Sequence, residues 1–495
     1  MQARTTVNET LIRDVVNEVL ARLGHAAGAD GPAGAAENPA VLAVARGVRR
    51  AASDAGGGGV FASVDEAVAA ATEAQRRLAA ASLEVRAAAV EAIRTVMRRD
   101  QQELARIEFE ETRIGKLAHK EEKLEVAAGV PGLEMLRTEA TSGDHGLTVT
   151  EYAPWGVIGV VTPVTHSVPT LGCNAIMMIA AGNALVCNPH PGGAKCAAEA
   201  TRRWNHLIHA QTGIENLLCT ILPPTLETAQ QIFRHPGIAL LCATGGAAMA
   251  KAALASGKRA IVAGPGNPPV VVDETANLEK AASGILAGAG YDNNLLCIGE
   301  KEVFVVESVA EGLLAAMSRK GGFRLTPAQM AQIAQATIVR DPATGHYVPK
   351  REYVGQDPQV LGRLLGLEVP PHVKCLYGET DEGNPLVPCE QMMPVLPVVR
   401  CRDVDEAIAK AVQYEHGFRH TAIMWSRNVE NLTKMGRACG TTLYVKNGPC
   451  VAGLGIGGQG YGSFSIATPT GEGVTSPLTF TRYRRCTMVD SLRIF

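Results

Sequence analysis

Cysteine is the residue type in this sequence that is best suited to covalent chemistry, and the chain contains 12 cysteines. No two of them have the C-x-x-C spacing of a redox or zinc site. Cys187, Cys219 and Cys242 lie inside short apolar segments, where cysteine usually acts as a small buried hydrophobic residue. Cys297 lies instead between a predicted helix and the apolar strand EVFVVE. A thiolate there can attack a carbonyl carbon and can later leave from a thioester, so Cys297 is the candidate nucleophile.

The elements that would position the other polar candidates are short strands alternating with helix-length segments. The predicted strands are GVIGVVTP (156–163), NALVCNP (183–189), NLLCTI (216–221), IALLCAT (238–244) and RAIVAGP (259–265). This alternation predicts an α/β fold with a doubly wound parallel sheet, preceded by a helical region at residues 64–128. Ligands of such sheets bind beyond the carboxyl ends of the strands. The candidate binding residues therefore follow the strands, and they are Thr162, Pro163, Thr165, His166, Asn188, His190, Gly245 and Gly246.

A glycine-rich segment later in the chain resembles a nucleotide-binding fingerprint. Residues 453–460 contain two overlapping matches to G-x-G-x-x-G. That fingerprint requires a strand before it and a helix after it, and the following residues, QGYGSFSIATPTGEG, do not favour a helix. The segment is therefore interpreted as a glycine-rich loop near the active site.

Composition excludes several other classes of protein. The sequence has 47 basic and 49 acidic residues, and a net charge of -2 gives no general basic field for nucleic acid or an anionic membrane. No apolar run reaches the roughly 18 residues that span a bilayer. Scattered cysteines indicate a reducing compartment rather than a secreted disulfide scaffold. His206 and His209 lie on one predicted helix, but two histidines alone do not predict a metal site.

The first 23 residues have the pattern of an amphipathic helix. Their apolar residues fall on one stripe, and Thr6 and Glu9 form a capping box where the stripe begins. They lack the continuous apolar region of a secretory signal. Residues 24–59, rich in Ala, Gly and Pro, are predicted to be a flexible linker. Since an isolated helix of this length is marginal in water, it should dock either on its own subunit or on a separate partner.

Across nearly its whole length the sequence resembles the aldehyde dehydrogenase superfamily. The segments PWGVIGVVTP, AAGNALV and YDNNLLCIGEKEVFVVE have counterparts there. Within the superfamily it resembles the CoA-acylating propionaldehyde dehydrogenases of bacterial microcompartments, through AAGNALVCNPHPGGAK, CATGG, AGPGNPPVVVDETANLEKA, VKNGPCVAGLGIGG and SFSIATPTGEGVTSP. By residue type alone Cys297 is better explained as a core residue, and the motif around it decides in favour of a nucleophile.

The resemblance implies a division of the chain into domains. An NAD-binding domain is expected at residues 60–133 and 151–266, and a catalytic domain at 267–455. Residues 134–150 and 474–495 would form an oligomerisation arm, which implies a homodimer or homotetramer.

The resemblance also implies oxidation of a short aldehyde by NAD, through a thiohemiacetal and a thioacyl-enzyme on Cys297. Carboxylate-forming relatives use a glutamate just before a G-G-K-x-P motif to activate water. Here the matching stretch is IVAGPGNPP, and Val262 takes the glutamate position. The missing base favours transfer of the acyl group to coenzyme A. A hydrolytic aldehyde dehydrogenase, a reductase of acyl phosphates and an inactive scaffold protein are the alternatives.

The resemblance assigns the remaining site residues. The Cys297 N–H would bind the oxyanion together with a second donor, which is either His166, at the position of the family's asparagine, or Thr165. Glu390, in CEQMMPVLPVV, matches the glutamate that holds the nicotinamide ribose. NAD is favoured over NADP, and its expected contacts are Thr162, Pro163, Asn188, His190, Gly245, Gly246 and Glu390.

The substrate and the location are further expectations from the resemblance. Propionaldehyde is the leading substrate, and acetaldehyde is a close rival because one methylene in an apolar pocket discriminates by only about 10- to 200-fold. Residues 1–23 resemble encapsulation peptides. They would bind a shell protein and place the enzyme inside a microcompartment in the bacterial cytoplasm, in propanediol degradation. No metal, nucleic acid or membrane is expected as a partner.

Overall fold

The chain enters its first sheet at a pair of glycines. A computed structural model describes residues 57–342, 344–490 and 492–493; the predicted helix at 1–23 and most of the predicted linker at 24–59 lie outside these residues. The last linker residues are described, and the Gly59 carbonyl accepts a hydrogen bond of 2.8 Å from the Thr220 N–H. A Cβ on Gly59 would lie 2.1 Å from the Asn205 side chain, so this close approach requires glycine.

Six parallel strands form the first sheet, in the order β1-β6-β5-β4-β7-β8. The strands are β1 (Val60–Phe61), β4 (Val157–Thr162), β5 (Ala184–Pro189), β6 (Leu218–Ile221), β7 (Leu240–Thr244) and β8 (Ala260–Ala263). The last five are the strands that the sequence predicts. Every residue of β4 to β7 is buried, as expected for apolar strands covered by helices on both faces.

The strand order reverses beside β4, because β5 and β6 lie on one side of it and β7 and β8 on the other. Thr162 of β4 pairs with Pro189 of β5, and Val161 pairs with Ala243 of β7. The three segments that the sequence singles out therefore leave the sheet at one edge. This is the switch point at which doubly wound sheets bind ligands, and the predicted fold class is confirmed.

Helices cover both this sheet and the second one. The predicted helical region at 64–128 forms four helices, of which the first begins at Ser63, whose hydroxyl accepts a hydrogen bond from the Glu66 N–H. No helix in the described residues is long and apolar enough to cross a membrane. The helices are α1 (Val64–Ala80), α2 (Leu83–Arg99), α3 (Gln101–Thr112), α4 (Leu117–Ala128), α5 (Ser167–Ala180), α6 (Ala194–Thr212), α7 (Leu226–Arg234), α8 (Ala247–Leu254), α9 (Leu278–Ala289), α10 (Glu307–Arg319), α11 (Pro327–Thr337), α12 (Pro358–Arg363), α13 (Val404–Tyr414) and α14 (Val429–Cys439).

Seven parallel strands form the second sheet, in the order β11-β14-β15-β10-β9-β16-β17. Its central strands β9, β10 and β16 are fully buried. The strands are β9 (Pro269–Val272), β10 (Glu302–Val306), β11 (Phe323–Leu325), β14 (Leu376–Glu379), β15 (Val395–Cys401), β16 (Thr421–Trp425) and β17 (Leu443–Lys446).

Three antiparallel strands form a separate, exposed sheet in the order β2-β3-β20. They are β2 (Glu139–Gly143), β3 (Gly146–Pro154) and β20 (Thr481–Val489), and β20 is exposed along all but its first residue. Two short antiparallel pairs complete the strands, β12 (Ile338–Arg340) with β13 (Tyr347–Pro349) and β18 (Ile466–Ala467) with β19 (Gly473–Val474).

Candidate active site

Cys297 lies on a turn between α9 and β10, the central strand of the second sheet. Ten of the 12 cysteines are buried, including Cys187, Cys219 and Cys242. Cys297 is partly accessible, whereas the exposed Cys486 belongs to β20. Cys297 therefore combines partial exposure with a position directly before a central strand.

The backbone before Cys297 has an unusual conformation. Asp292, Asn293 and Asn294 have positive φ angles of 47°, 55° and 67° in succession. Asp and Asn tolerate this left-handed region better than other residues with a Cβ, but each such residue still stores strain. The surrounding structure must therefore hold the turn in place.

Side chains of the turn itself provide much of that support. The Asn293 amide donates to the Gly355 carbonyl and to an Asp357 carboxylate oxygen, both at 2.9 Å. The Asn294 amide donates to the carbonyls of Ala289, at 3.1 Å, and Glu300, at 2.9 Å. These bonds tie the turn to the end of α9, to the start of β10 and to the segment before α12.

The buried Lys123 of α4 connects the turn to the segment after β4. Its ammonium group forms an ion pair with Asp292 and lies 3.2 Å from His166 Nδ1 and 3.4 Å from the Thr165 carbonyl oxygen. An ammonium group only donates, so His166 Nδ1 accepts and the ring proton is on Nε2. Burial and the charge of Lys123 lower the pKa of His166 well below its usual value, so the imidazole is neutral. His166 can thus donate a hydrogen bond through Nε2, as an oxyanion donor must.

Charged groups near Cys297 shift the pKa of its thiol in opposite directions. Burial, followed by the carboxylate of Glu390, raises the pKa of the Cys297 thiol to about 12, and the ammonium group of Lys301 acts in the opposite direction. Burial also raises the pKa of Glu390 to about 7, against Lys301 and the Gly266 N–H. Glu390, predicted as a ribose contact, therefore lies close enough to Cys297 for their charges to interact.

His420 is a site residue that sequence reasoning missed. A Cβ on Gly266 would lie 2.6 Å from the Cys297 carbonyl oxygen and 3.0 Å from His420 Cγ, so the imidazole lies beside the turn that carries Cys297. Its Nδ1 shares a 2.9 Å hydrogen bond with the Thr421 hydroxyl, and its buried Nε2 has no protein partner. Burial, helped by Lys301, lowers the pKa of His420 to about 4. In the sequence, His420 could have been recognised as a titratable residue directly before the apolar strand β16.

Six of the seven residues predicted to bind the cofactor lie at the switch-point edge of the first sheet, and Glu390 lies before β15 of the second sheet. Thr162 ends β4, Pro163 follows it, and Gly245 and Gly246 follow β7. A Cβ on Gly246 would meet no protein atom within 4 Å, so this edge has open space where a ligand fits. His190 Nδ1 accepts a hydrogen bond from the Gly192 N–H, which leaves Nε2 to donate.

Asn188 has a structural role that the sequence did not indicate. Its amide donates to the Thr225 carbonyl at 3.2 Å, and its side-chain oxygen accepts a 2.6 Å hydrogen bond from the Thr228 hydroxyl. Thr225 is the residue that caps α7. The side chain therefore holds the start of α7, and any contact with a cofactor would use the hydrogen-bonding capacity that remains.

Three features are absent from the residues that the structure describes. Val262 is fully buried in β8, and a hydrocarbon side chain cannot activate water. The glycine-rich segment at 453–460 is followed by a loop rather than a helix. Among the described residues, no group of three or more His, Cys, Asp or Glu side chains is placed to hold a metal ion.

Comparison with known proteins places the chain in a family. The profile described as "Aldehyde dehydrogenase family" matches residues 59–328. The chain belongs to the aldehyde dehydrogenase family. Acetaldehyde dehydrogenase (acetylating) EutE of Salmonella typhimurium is 47% identical to it over 438 residues, which cover 88% of this chain and 93% of that protein.

Solved structures of aldehyde dehydrogenases with acylating chemistry have the same fold. One is the Rhodopseudomonas palustris propionaldehyde dehydrogenase with bound CoA and an acylated cysteine, at 43% identity and a TM-score of 0.85, covering 88% of this chain and 99% of that one. Another is the propionaldehyde dehydrogenase from the Clostridium phytofermentans fucose utilisation bacterial microcompartment, at 41% identity and a TM-score of 0.85, covering 88% and 100%. The predicted resemblance to CoA-acylating aldehyde dehydrogenases is confirmed.

The pKa of Cys297 predicts how its reactivity depends on pH. Only the thiolate is alkylated, and below a raised pKa the thiolate fraction increases about tenfold per pH unit. The rate of modification of Cys297 by iodoacetamide should therefore rise continuously between about pH 7 and about pH 10. Mass spectrometry of the peptide that contains residue 297 measures this rate. A plateau below about pH 8 would contradict the raised pKa.

Proposed function

We propose that this aldehyde dehydrogenase oxidises a short aldehyde with NAD and coenzyme A to an acyl-CoA, with Cys297 as the nucleophile. The observation that carries the proposal is the partial exposure of Cys297 on the turn between α9 and β10 (the nucleophile turn), with the imidazole of His420 against the same turn and its Nε2 without a protein partner. The acylated cysteine in the R. palustris relative supports it.

The residues have separate roles in the reaction. The Cys297 thiolate forms a bond to the aldehyde carbon, and its backbone N–H with the Nε2–H of His166 stabilises the oxyanion, Thr165 being the alternative donor. NAD supplies a hydride acceptor when it is bound. It would be held by Glu390 and by the residues at the edge of the first sheet.

Transfer of the acyl group completes the cycle. The thiol of coenzyme A attacks the thioester on Cys297, and the Cys297 thiolate leaves. Neutral His420, with Nε2 free, takes the proton of the incoming thiol. Hydrolysis is the second candidate, but Val262 offers no base for water, which favours the acylating reaction.

A first experiment follows NADH in a single turnover. Without coenzyme A, the enzyme should form about one equivalent of NADH per active site and then stop, because the thioester remains on Cys297. Coenzyme A should restore turnover and yield a thioester product. Cys297→Ala should lower kcat by at least about 10³-fold, whereas Cys486→Ala, the accessible cysteine of β20, should not change it. Acid as the main product would support hydrolysis instead.

A second experiment tests His420 against a nearby histidine. Replacing a general acid or base typically lowers a rate by about 10²- to 10⁴-fold, so His420→Gln should reduce the CoA-dependent kcat by at least about 10²-fold. The matched control is His416→Gln, since His416 is exposed and lies in the same loop. If both variants retain wild-type kcat, His420 has no role in proton transfer.

The substrate should have two or three carbons. The relatives are named for acetaldehyde and for propionaldehyde, and both aldehydes fit the proposal. We expect propionaldehyde and acetaldehyde to differ in kcat/KM by no more than about 200-fold.

The domain organisation remains part of the proposal. Residues 60–133 and 151–266 would bind NAD, and 267–455 would carry the catalytic residues. Residues 134–150 and 474–495 would form the oligomerisation arm, and the exposed sheet of β2, β3 and β20 supports this. Tyr483, Met488 and Val489 of β20 are exposed apolar side chains, which suit a homodimer or homotetramer contact.

The proposed location inside a bacterial microcompartment depends on residues 1–23. Their amphipathic pattern and the microcompartment origin of the C. phytofermentans relative support it. A fusion of residues 1–23 to a fluorescent protein should give discrete foci in cells that build microcompartments. A fusion with Leu11, Val15 and Leu20 replaced by Ser, which removes the apolar stripe, should stay diffuse. Diffuse fluorescence from both fusions would contradict recruitment through this segment.

A further inference from the structure

Lys301 is a fully buried lysine at the end of the turn that carries Cys297. Its Nζ lies 2.6 Å from Asn294 Oδ1, 2.9 Å from the Asn294 carbonyl oxygen and 3.2 Å from the Leu296 carbonyl oxygen. Leu296 directly precedes the nucleophile. Lys301 belongs neither to the predicted site residues nor to the groups that the proposed reaction uses.

These contacts determine the protonation state of Lys301. An ammonium group has three N–H donors and no acceptor, and here three oxygen acceptors surround it. A neutral amine would have two N–H groups and would direct its lone pair at one of the oxygens. Burial lowers the pKa of Lys301, but this set of acceptors requires the charged form.

The backbone of Lys301 links the charge to the rest of the site. Its N–H donates to the Pro268 carbonyl at 3.1 Å, and its carbonyl accepts a 2.9 Å hydrogen bond from the Gln391 amide. Pro268 follows the segment of Gly266, which lies against the Cys297 carbonyl, and Gln391 follows Glu390. One residue thus connects the nucleophile turn with both segments beside it.

Several titratable groups share the electrostatic environment of Lys301. Its charge acts on Cys297 and Glu390 and lowers the pKa of each. The turn and β10 contribute Cys297, Glu300 and Glu302 to this environment. The segments before β15, before β16 and after β17 contribute Cys389, Glu390, His420 and Cys450. Glu300, Glu302 and Glu390 are acidic, so Lys301 is the cation of this cluster.

The structure assigns Lys301 as the positioning residue of Cys297: its ammonium group holds the Asn294–Leu296 backbone in place and provides the positive charge that favours the thiolate over the thiol. This inference rests on the proposed role of Cys297 as nucleophile. It extends that role to a buried residue that contacts neither the substrate nor the cofactor.

The test compares two alkylating reagents that have nearly the same size but differ in charge. Iodoacetate is an anion and iodoacetamide is neutral, so the ratio of their rates at Cys297 reports local charge, while thiolate fraction and accessibility largely cancel. Lys301→Gln keeps two N–H donors without the charge, and Lys301→Met keeps only the apolar stem. Both variants should lower the iodoacetate to iodoacetamide ratio by about three- to tenfold, as expected for loss of one nearby charge.

The rate with iodoacetamide alone gives a second readout. Loss of the charge should raise the pKa of Cys297, and at a fixed pH near neutrality the rate should fall by about tenfold for each unit of pKa. Lys258→Met is the matched control, because the ammonium group of Lys258 likewise donates to backbone carbonyl oxygens, those of His235 and Ile238, in the segment between α7 and β7 of the first sheet. It should lower the thermal stability but leave the rate ratio at Cys297 unchanged. A wild-type ratio in Lys301→Gln would overturn the inference.

A third variant keeps the inference testable if neither Lys301 variant folds. In Glu390→Gln the opposing carboxylate is gone, and the ammonium group of Lys301 still acts on Cys297. The rate ratio at Cys297 should then exceed that of the neutral thiol 2-mercaptoethanol, and a ratio at or below it would overturn the inference. These outcomes are separate from failure of the proposed function. If Cys297 is not the nucleophile, wild-type enzyme fully alkylated at Cys297 will remain active.

Discussion

The structure around the active site depends on keeping a thiol accessible at the end of a strained, buried turn. Three consecutive residues with positive φ, Asp292 to Asn294, precede Cys297, and each stores strain of about 1 to 3 kcal/mol. Two buried ammonium groups stabilise the turn, Lys123 through Asp292 and Lys301 through Asn294 and Leu296. Removing one partner of a buried charged pair costs about 3 to 5 kcal/mol, so the nucleophile turn and the packing of α4 stabilise one another.

The same arrangement separates the acid–base properties of three neighbouring groups. Burial raises the pKa of Cys297 to about 12 and that of Glu390 to about 7, and it lowers that of His420 to about 4. At neutral pH the thiol of Cys297 is therefore protonated and the imidazole of His420 is neutral, whereas the carboxyl group of Glu390 is near the midpoint of its titration. Such divergence is typical of catalytic sites, where each group must hold or release its proton at a different step.

The two parallel sheets carry different parts of this site. The first sheet reverses its strand order beside β4 and leaves open space beside Gly246, where the candidate cofactor residues lie. The second sheet places Cys297 before its central strand β10 and His420 before β16, with β9 between them. Gly266, just before β9, allows the turn and the imidazole to approach one another because it has no Cβ. The chemistry therefore depends on strands that are far apart in sequence.

Much of the fold and the candidate nucleophile could be predicted from the sequence, because both are local patterns. Apolar runs bounded by turns predict β4 to β8, and the motif around Cys297 marks a thiol before a strand. The absence of a carboxylate at Val262 is likewise visible in one short segment. The two-residue strand β1 was not predicted, since Val60 and Phe61 are too few to form a pattern.

Tertiary structure alone decided which distant side chains meet. His420, Lys301 and Lys123 are ordinary polar residues in the sequence, and each acquires its role from partners that other elements bring to it. Asn188 proved to hold the start of α7, a role that depends on Thr225 and Thr228. The physical reason is that pKa values, tautomers and buried ion pairs are set by desolvation and by distances of a few ångströms, and only the packed chain defines these quantities.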